Sequence, residues 1–318
     1  MSDRLPVADT LNEAFRFGLK RWGTVFRYVW VPFLITIAMF GSIAAAGLNF
    51  EAFETLENVE NGGEFPGWDE LFAMPLKTLG MLFIVAAIIS WILFSGFMAS
   101  IYRLVALGEE RPGLFQLRLD GPAWRVFWSH VILQIINYGL LFIGMAIAMP
   151  MVGSSFAELF GVFGEIFRLA AENPNYTPSD EESWELLKPF AGIGLGILFA
   201  ALPMMYVNIK LVPFPPGSAV ENRLFLFGAF RITTGHAWSV FGILVLTFLA
   251  LAIASTIVQL VAAIFETIAA LSGGGALGVI AIVAMVIQLT MLFVFQAFAY
   301  AVQFGVAGVI YRRLKTGA

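Results

Sequence analysis

Between His236 and Glu266 the chain reads AWSVFGILVLTFLALAIASTIVQLVAAIF, residues 237–265, and none of these 29 side chains is charged. Hydrocarbon offers no partner to a backbone N–H or C=O, so a segment of this kind must satisfy its own polar groups as a helix. A hydrocarbon core about 30 Å thick takes about 20 residues of helix, and this run exceeds that. It is a membrane-spanning helix. The same test, applied outward in both directions, finds five more: Phe26–Leu48, Thr78–Tyr102, Val126–Gly153, Pro189–Ile209 and Ala276–Tyr311. Arg27 lies one residue inside the first, where a long side chain reaches back to the interface. The last is longer than one crossing needs, which implies a tilt or an end that emerges from the bilayer.

Composition agrees with the spans. Of 318 residues 59% are hydrophobic and 13% charged, with 32 Phe, no Cys and a mean hydropathy of +0.86. Soluble domains hold about 45–50% apolar and about 25% charged residues, so this chain has too little polar surface to clothe a water-soluble globule. The same figures exclude disorder, a disulfide scaffold and any cysteine-based zinc or redox site. The expected fold is all-α: a polytopic membrane helix bundle of six transmembrane helices with short interfacial helices, one integral membrane domain over residues 1–318. A net charge of −4 gives no sign of a nucleic-acid partner.

That small net charge conceals a strong polarity. The N-terminus, residues 103–125, residues 210–236 and the C-terminal tail hold 15 of the 18 Lys and Arg. The opposite segments keep only Lys77, Arg168 and Lys188. With the acidic residues included, one side carries 15 basic and 7 acidic groups and the other 3 and 15. Basic loops stay in the cytoplasm, so both termini are expected there.

Several spans open with related words. Ala14-Phe15-Arg16 precedes Val25-Phe26 at the separation by which Ala229-Phe230-Arg231 precedes Val240-Phe241, with Trp22 or Trp238 between. Trp124-Arg125-Val126-Phe127 opens the third span in a similar way. Ile101-Tyr102-Arg103-Leu104 and Ile310-Tyr311-Arg312-Arg313-Leu314 close two others, and Tyr206-Val207-Asn208-Ile209-Lys210 is a weaker echo. Three repeated helix pairs account for the pattern; convergence on a shared interfacial anchor of Trp, Tyr and Arg accounts for it equally.

The stretch from Leu211-Val212-Pro213 through Ala219-Val220-Glu221, with Ala229-Phe230-Arg231-Ile232-Thr233-Thr234-Gly235-His236-Ala237-Trp238, resembles the connector before the fifth helix in certain six-helix bacterial inner-membrane proteins. These are similar to the membrane domain fused to some glycerophosphodiester phosphodiesterases. The resemblance implies a multi-pass protein of the bacterial inner membrane. The soluble phosphodiesterase part has no counterpart in these residues, so no catalytic residue carries over.

Three segments outside the spans have characters of their own. Residues 1–22 are expected to form a cytoplasmic amphipathic anchor, with Thr10 as N-cap, Glu13 at N3 and an apolar face of Leu11, Ala14, Phe15, Gly18, Leu19 and Trp22. Residues 49–75 and 154–188 are acidic outer loops. The second begins with a stripe of Phe156, Leu159, Phe160, Phe163, Ile166 and Phe167, and Ser179 begins a capping box ahead of the fourth span. Their carboxylates lack the D-x-D-x-D-G order of a calcium loop and read as a solvated acidic face, so no metal site and no cofactor are expected. Ser272-Gly273-Gly274-Gly275 is expected to be a tight outer turn.

Ionisable groups inside spans mark ion or proton paths, and here they are scarce. His130 lies within the third span, with Gln134 and Asn137 on its face and Tyr138 beside them. Gln288, Gln296, Tyr300 and Gln303 on the sixth, and Gln259 on the fifth, are the expected partners, either as interhelical hydrogen bonds or as the lining of a solute path. Gly192 and Gly196, followed by Ala200, form a small-residue face for close helix packing or dimerisation. Pro32, Pro150 and Pro203 kink or end their helices. Arg223, Arg231 and His236 on the connector are candidates for binding a phosphate headgroup, although Thr233-Thr234-Gly235 reads equally as a turn and cap. No nucleophile elbow, P-loop or metal-spaced cluster of His and carboxylate is present in the sequence. The leading expectation is an inner-membrane protein acting by helix packing, partner binding or lipid organisation. The alternatives are a transporter or channel for a small or amphipathic solute, and a lipid-modifying membrane enzyme. The expected partners are the lipid bilayer and a second copy of the chain or another membrane protein.

Overall fold

A computed structural model describes residues 5–47, 76–111, 117–153, 180–271 and 278–317. Within them the elements are all helical: α1 (Val7–Gly47), α2 (Leu76–Leu107), α3 (Gly121–Met151), α4 (Asp180–Leu211), α5 (Phe214–Val220), α6 (Leu226–Ile232), α7 (Ala237–Leu271) and α8 (Gly278–Thr316). Six of these are long and apolar enough to cross a membrane, and they match the six spans expected from the sequence. The chain is a multi-pass membrane helix bundle. Most of the 49–75 and 154–188 loops, the 156–167 stripe and the 272–275 turn lie outside the described residues.

Two features of the helices depart from expectation. The described part of the expected 1–22 anchor does not form a helix of its own: α1 runs unbroken from Val7 to Gly47. Thr10 is not its N-cap but sits inside the first turn, where its N–H and hydroxyl both donate to the Pro6 carbonyl at 3.1 and 2.7 Å. The buried face of this segment is Thr10, Ala14 and Gly18, while Leu19 and Trp22 are exposed. The reason is packing: a Cβ at Gly18 would stand 2.7 Å from Val302 of α8, so glycine lets the two helices close together. Tertiary contact has extended the helix past the point where membrane length alone would end it. The prolines do not end their helices at once either. α1 and α4 continue through Pro32 and Pro203, and Pro150 precedes the last residue of α3.

The chain divides into two compact units, Met1–Trp128 with Pro213–Ala318, and Ser129–Val212. In the first, α8 packs against α1, α2 and α7, and α2 also carries α5. Its interior is aromatic: Tyr300 of α8 meets Phe94 and Phe97 of α2 at 6.1 and 6.0 Å, and stacks on Phe304 at 5.7 Å. Such pairs add about 0.5–1.5 kcal/mol each beyond their buried area. Repeated words share a burial pattern. Ala14 and Ala229 are fully buried, as are Val25, Val126 and Val240, and Ile101-Tyr102 is as buried as Ile310-Tyr311.

In the second unit α3 and α4 meet through small residues. A Cβ on Gly144 would strike the Gly196 carbonyl and stand 3.0 Å from Ala200 Cβ. One on Gly196 would lie 2.8 Å from Met145 Cα, and one on Gly192 3.2 Å from Met149 Cγ. Backbone approach of this kind lets dispersion replace the hydrophobic drive that lipid does not supply.

Candidate functional site

The charged ends of the helices in the first unit form the most elaborate polar structure among the described residues. α5 begins with prolines, Pro215 and Pro216, whose missing N–H groups cost nothing in a first turn. It is buried from Phe214 to Ala219. Its last carbonyls need partners, and arginines supply them. Arg125 donates to the Ser218 carbonyl at 3.0 Å, and Arg103 to the Ala219 carbonyl at 2.9 Å. Cations are favoured at a helix C-terminus, where orphan carbonyls gather negative charge. Asn222 then turns the chain at φ 55°, a left-handed conformation that Asn tolerates, and its side-chain oxygen accepts from Arg125 at 2.7 Å.

Phe225 follows. Gly217 of α5 and Gly228 of α6 crowd its ring so closely that a Cβ at either would collide with it. Tyr311 packs edge-on against the same ring at 5.8 Å, and the Arg223 and Lys315 cations lie over it at 5.7 and 5.6 Å. Glu221 ties the cluster together, accepting from Lys315 at 2.6 Å, Tyr311 at 3.0 Å and Arg223 at 3.0 Å. Burial pushes its carboxyl up, but these donors outweigh that and hold it below the usual carboxylate range.

Beside this cluster is a cleft of about 300 Å³ lined by Arg223, Leu224, Phe225, Phe227, Gly228 and Arg231. Arg231 is exposed, and Phe227 is 85% exposed; Trp238, at the start of α7, is 83% exposed. Two of the three expected headgroup residues, Arg223 and Arg231, therefore line one cleft. His236 does not line it: its Nδ1 accepts from the Leu5 N–H at 3.4 Å. Thr233-Thr234-Gly235 forms a turn, with Gly235 at φ 86°.

A second charged cluster joins α1 and α2 to the segment just before α3. Arg118, only 4% exposed, reaches Asp120 at 2.7 Å and Glu109 at 3.6 Å. Glu109 also holds Arg103 at 2.5 Å, and Arg111 bridges to Asp120 at 2.7 Å. Glu110 takes Arg21 at 2.7 Å and Arg27 at 3.4 Å. The hydrogen bond from Arg103 lowers the Glu109 carboxyl; for Asp120 burial works upward, and the Arg118 and Arg111 bonds more than offset it. In the sequence these arginines stand out only by their sign. The more informative signal is the interleaving of Glu109, Glu110 and Asp120 with them.

The intramembrane polar residues separate into different places. Asn137 pairs reciprocally with Asn208 of α4, at 2.9 and 3.3 Å, rather than with the amides of the last helix. His130 and Gln134 lie on the same helix, His130 half-buried and Gln134 exposed. Tyr300 is enclosed by Phe94, Phe97 and Phe304. Gln296 and Gln303 line a groove between α7 and α8, Gln288 lies half-buried eight residues earlier, and Gln259 donates to Ser255 at 2.9 Å. Among the described residues no three His, Asp or Glu side chains come together as a metal-ligand set. Compared with known protein families, with curated proteins and with solved structures, the chain matches none of them.

Proposed function

We propose that the protein organises lipid at the cytoplasmic face of a bacterial inner membrane, holding an anionic phospholipid headgroup on the α5–α7 connector and acting by binding rather than by catalysis. The observation that carries this reading is the cleft between Arg223 and Arg231, next to the exposed Phe227 and Trp238. Exposed aromatics at a helix entrance sit at the headgroup level, and the two guanidiniums stand where a phosphate would lie. Arg223 already carries part of the Glu221 charge, so Arg231 is the stronger anion ligand of the two. The basic excess of the connector side supports the same orientation.

A lipid-modifying enzyme would need His236 beside Arg231, and His236 instead faces Leu5. A solute path along the third helix gains nothing from Asn137, whose amide is spent on Asn208. The test uses the full chain in nanodiscs of phosphatidylcholine with a minor share of phosphatidylglycerol, and counts phosphatidylglycerol retained per protein. A basic residue near an anionic surface contributes about 1 kcal/mol, so Arg231→Gln should lower retention about fivefold and Arg223→Gln somewhat less. Retention unchanged in the double variant would refute the reading.

A further inference from the structure

The groove between α7 and α8 encloses about 430 Å³, within the range of small-ligand sites. Its walls are apolar, with Phe248 on one helix and Phe295 on the other, but four polar side chains enter it: Thr247 and Ser255 from α7, Gln296 and Gln303 from α8. They fall into two tiers. Thr247 lies roughly 14 Å along α7 from Trp238, and Gln303 roughly 15 Å along α8 from Arg313, at about 1.5 Å rise per residue. Ser255 and Gln296 each lie roughly 26 Å from the same anchors by the same measure. The first tier stands near the middle of a hydrocarbon core about 30 Å thick, and the second lies within its far part.

The polar groups are unequally satisfied. Thr247 donates to the Ile243 carbonyl at 2.7 Å, and Ser255 accepts from Gln259 at 2.9 Å. Among the described residues the side-chain amides of Gln296 and Gln303 hydrogen-bond to no protein group. Their amides face a groove at a depth where water is scarce and lipid tails offer nothing, so a ligand is the partner that would satisfy them. No charged side chain lines the groove, so an ionised headgroup carried to this depth would find no counter-ion. An uncharged head with carbonyl or hydroxyl oxygens fits both observations. It accepts from the amide N–H groups, and its tail lies against the phenyl rings and aliphatic wall.

We propose that the α7–α8 groove binds an uncharged amphiphile whose head carries carbonyl oxygens, a diacylglycerol or a prenylated quinone, with Gln296 and Gln303 as its hydrogen-bond donors. This site is separate from the basic cleft and takes a neutral lipid where the cleft takes an anionic one. The experiment equilibrates the full chain in phosphatidylcholine nanodiscs with dioleoylglycerol in one arm and decylubiquinone in the other. The amphiphile retained after exchange is measured, with phosphatidylglycerol as control. Stoichiometric retention in one arm is expected, and the arm identifies the source. Gln296→Leu with Gln303→Leu should reduce it about tenfold, the scale of hydrogen bonds lost in hydrocarbon, with phosphatidylglycerol retention unchanged. Ala299→Trp, which fills the groove and keeps the amides, should also expel the ligand while the protein unfolds at its usual temperature. Retention of neither probe, or equal retention by the Leu variants, overturns the proposal. So does loss of a dimer in those variants without loss of lipid, which would assign the amides to a second copy of the chain.

Discussion

The chain enters its first and fifth spans through the same words, Ala-Phe-Arg followed at the same distance by Val-Phe, and builds different backbones from them. From Ala14 to Phe26 the helix is unbroken, whereas Ala229 to Phe241 is interrupted by a turn at Thr233–His236. The anchor alanines and valines are buried alike in both. What differs lies between them. Gly18 stands where the other copy has Thr233, and its missing side chain admits α8. Thr233 and Thr234 instead turn their hydroxyls back onto the Ala229 and Phe230 carbonyls. Lys20, an ordinary helix former, corresponds to Gly235 in a left-handed conformation. Anchor words fix where a span enters the membrane, and a few intervening residues decide whether the chain arrives straight or bent. Each entrance is also pinned to the end of α8 by one carboxylate: Glu13 takes Arg312 and Arg313, and Glu221 takes Tyr311 and Lys315.

The largest effect should come from overfilling the shared buried position. Ala14→Leu and Ala229→Leu each force extra methylenes into closed packing, which costs about 1–3 kcal/mol. Thermal unfolding in detergent should fall by similar amounts for the two; a response from only one breaks the equivalence of the two entrances. Next comes the turn. Gly235→Ala places a Cβ at φ 86°, which costs about 1–2 kcal/mol, whereas Lys20→Ala in the straight copy should cost nothing. Denaturant titration of the pair measures the difference, and a gain from Gly235→Ala would mean that the bend is not held by that residue.

The smallest effect concerns protons. The Glu221 carboxyl is depressed in the folded protein, so its contribution is complete above the unfolded value, about 4.3, and is lost as pH falls through the folded one. Stability should therefore decline from about pH 5 downward, and Glu221→Gln should flatten that limb by no more than about 1 kcal/mol. An acid limb of unchanged slope in the variant would remove Glu221 from the clamp.

The six spans are legible because lipid permits few solutions for an uncharged run. The connector is much less so. α5 and α6 are seven residues each, too short for a periodic signal, and they owe their form to the arginines at the C-terminus of α5 and to the Phe225 ring held between glycines. Among the expected site residues, the Gly192–Gly196 face is simple to read because small residues four apart have one common use. Asn208 was invisible as the partner of Asn137: it lies in a word that marks a helix end, and nothing in one sequence says which amides meet. A helix near Thr10 is legible, but its continuity with the first span is not, since Gly18 meets a surface of α8 nearly 300 residues away.

α1 has 41 residues and α8 has 39, so at about 1.5 Å per residue each rod is roughly 60 Å long, twice the thickness of the oily layer it crosses. Their mutual contacts run only from Glu13 with Arg312 and Arg313 to the stacking of Phe33 on Phe293, about 20 residues of each rod and so about one membrane thickness, after which α1 turns to α2 through Thr36, Phe40 and Gly47. The rest of each rod is surplus to the pair: α1 spends its far half on α2, so one helix carries two neighbours in succession along its length.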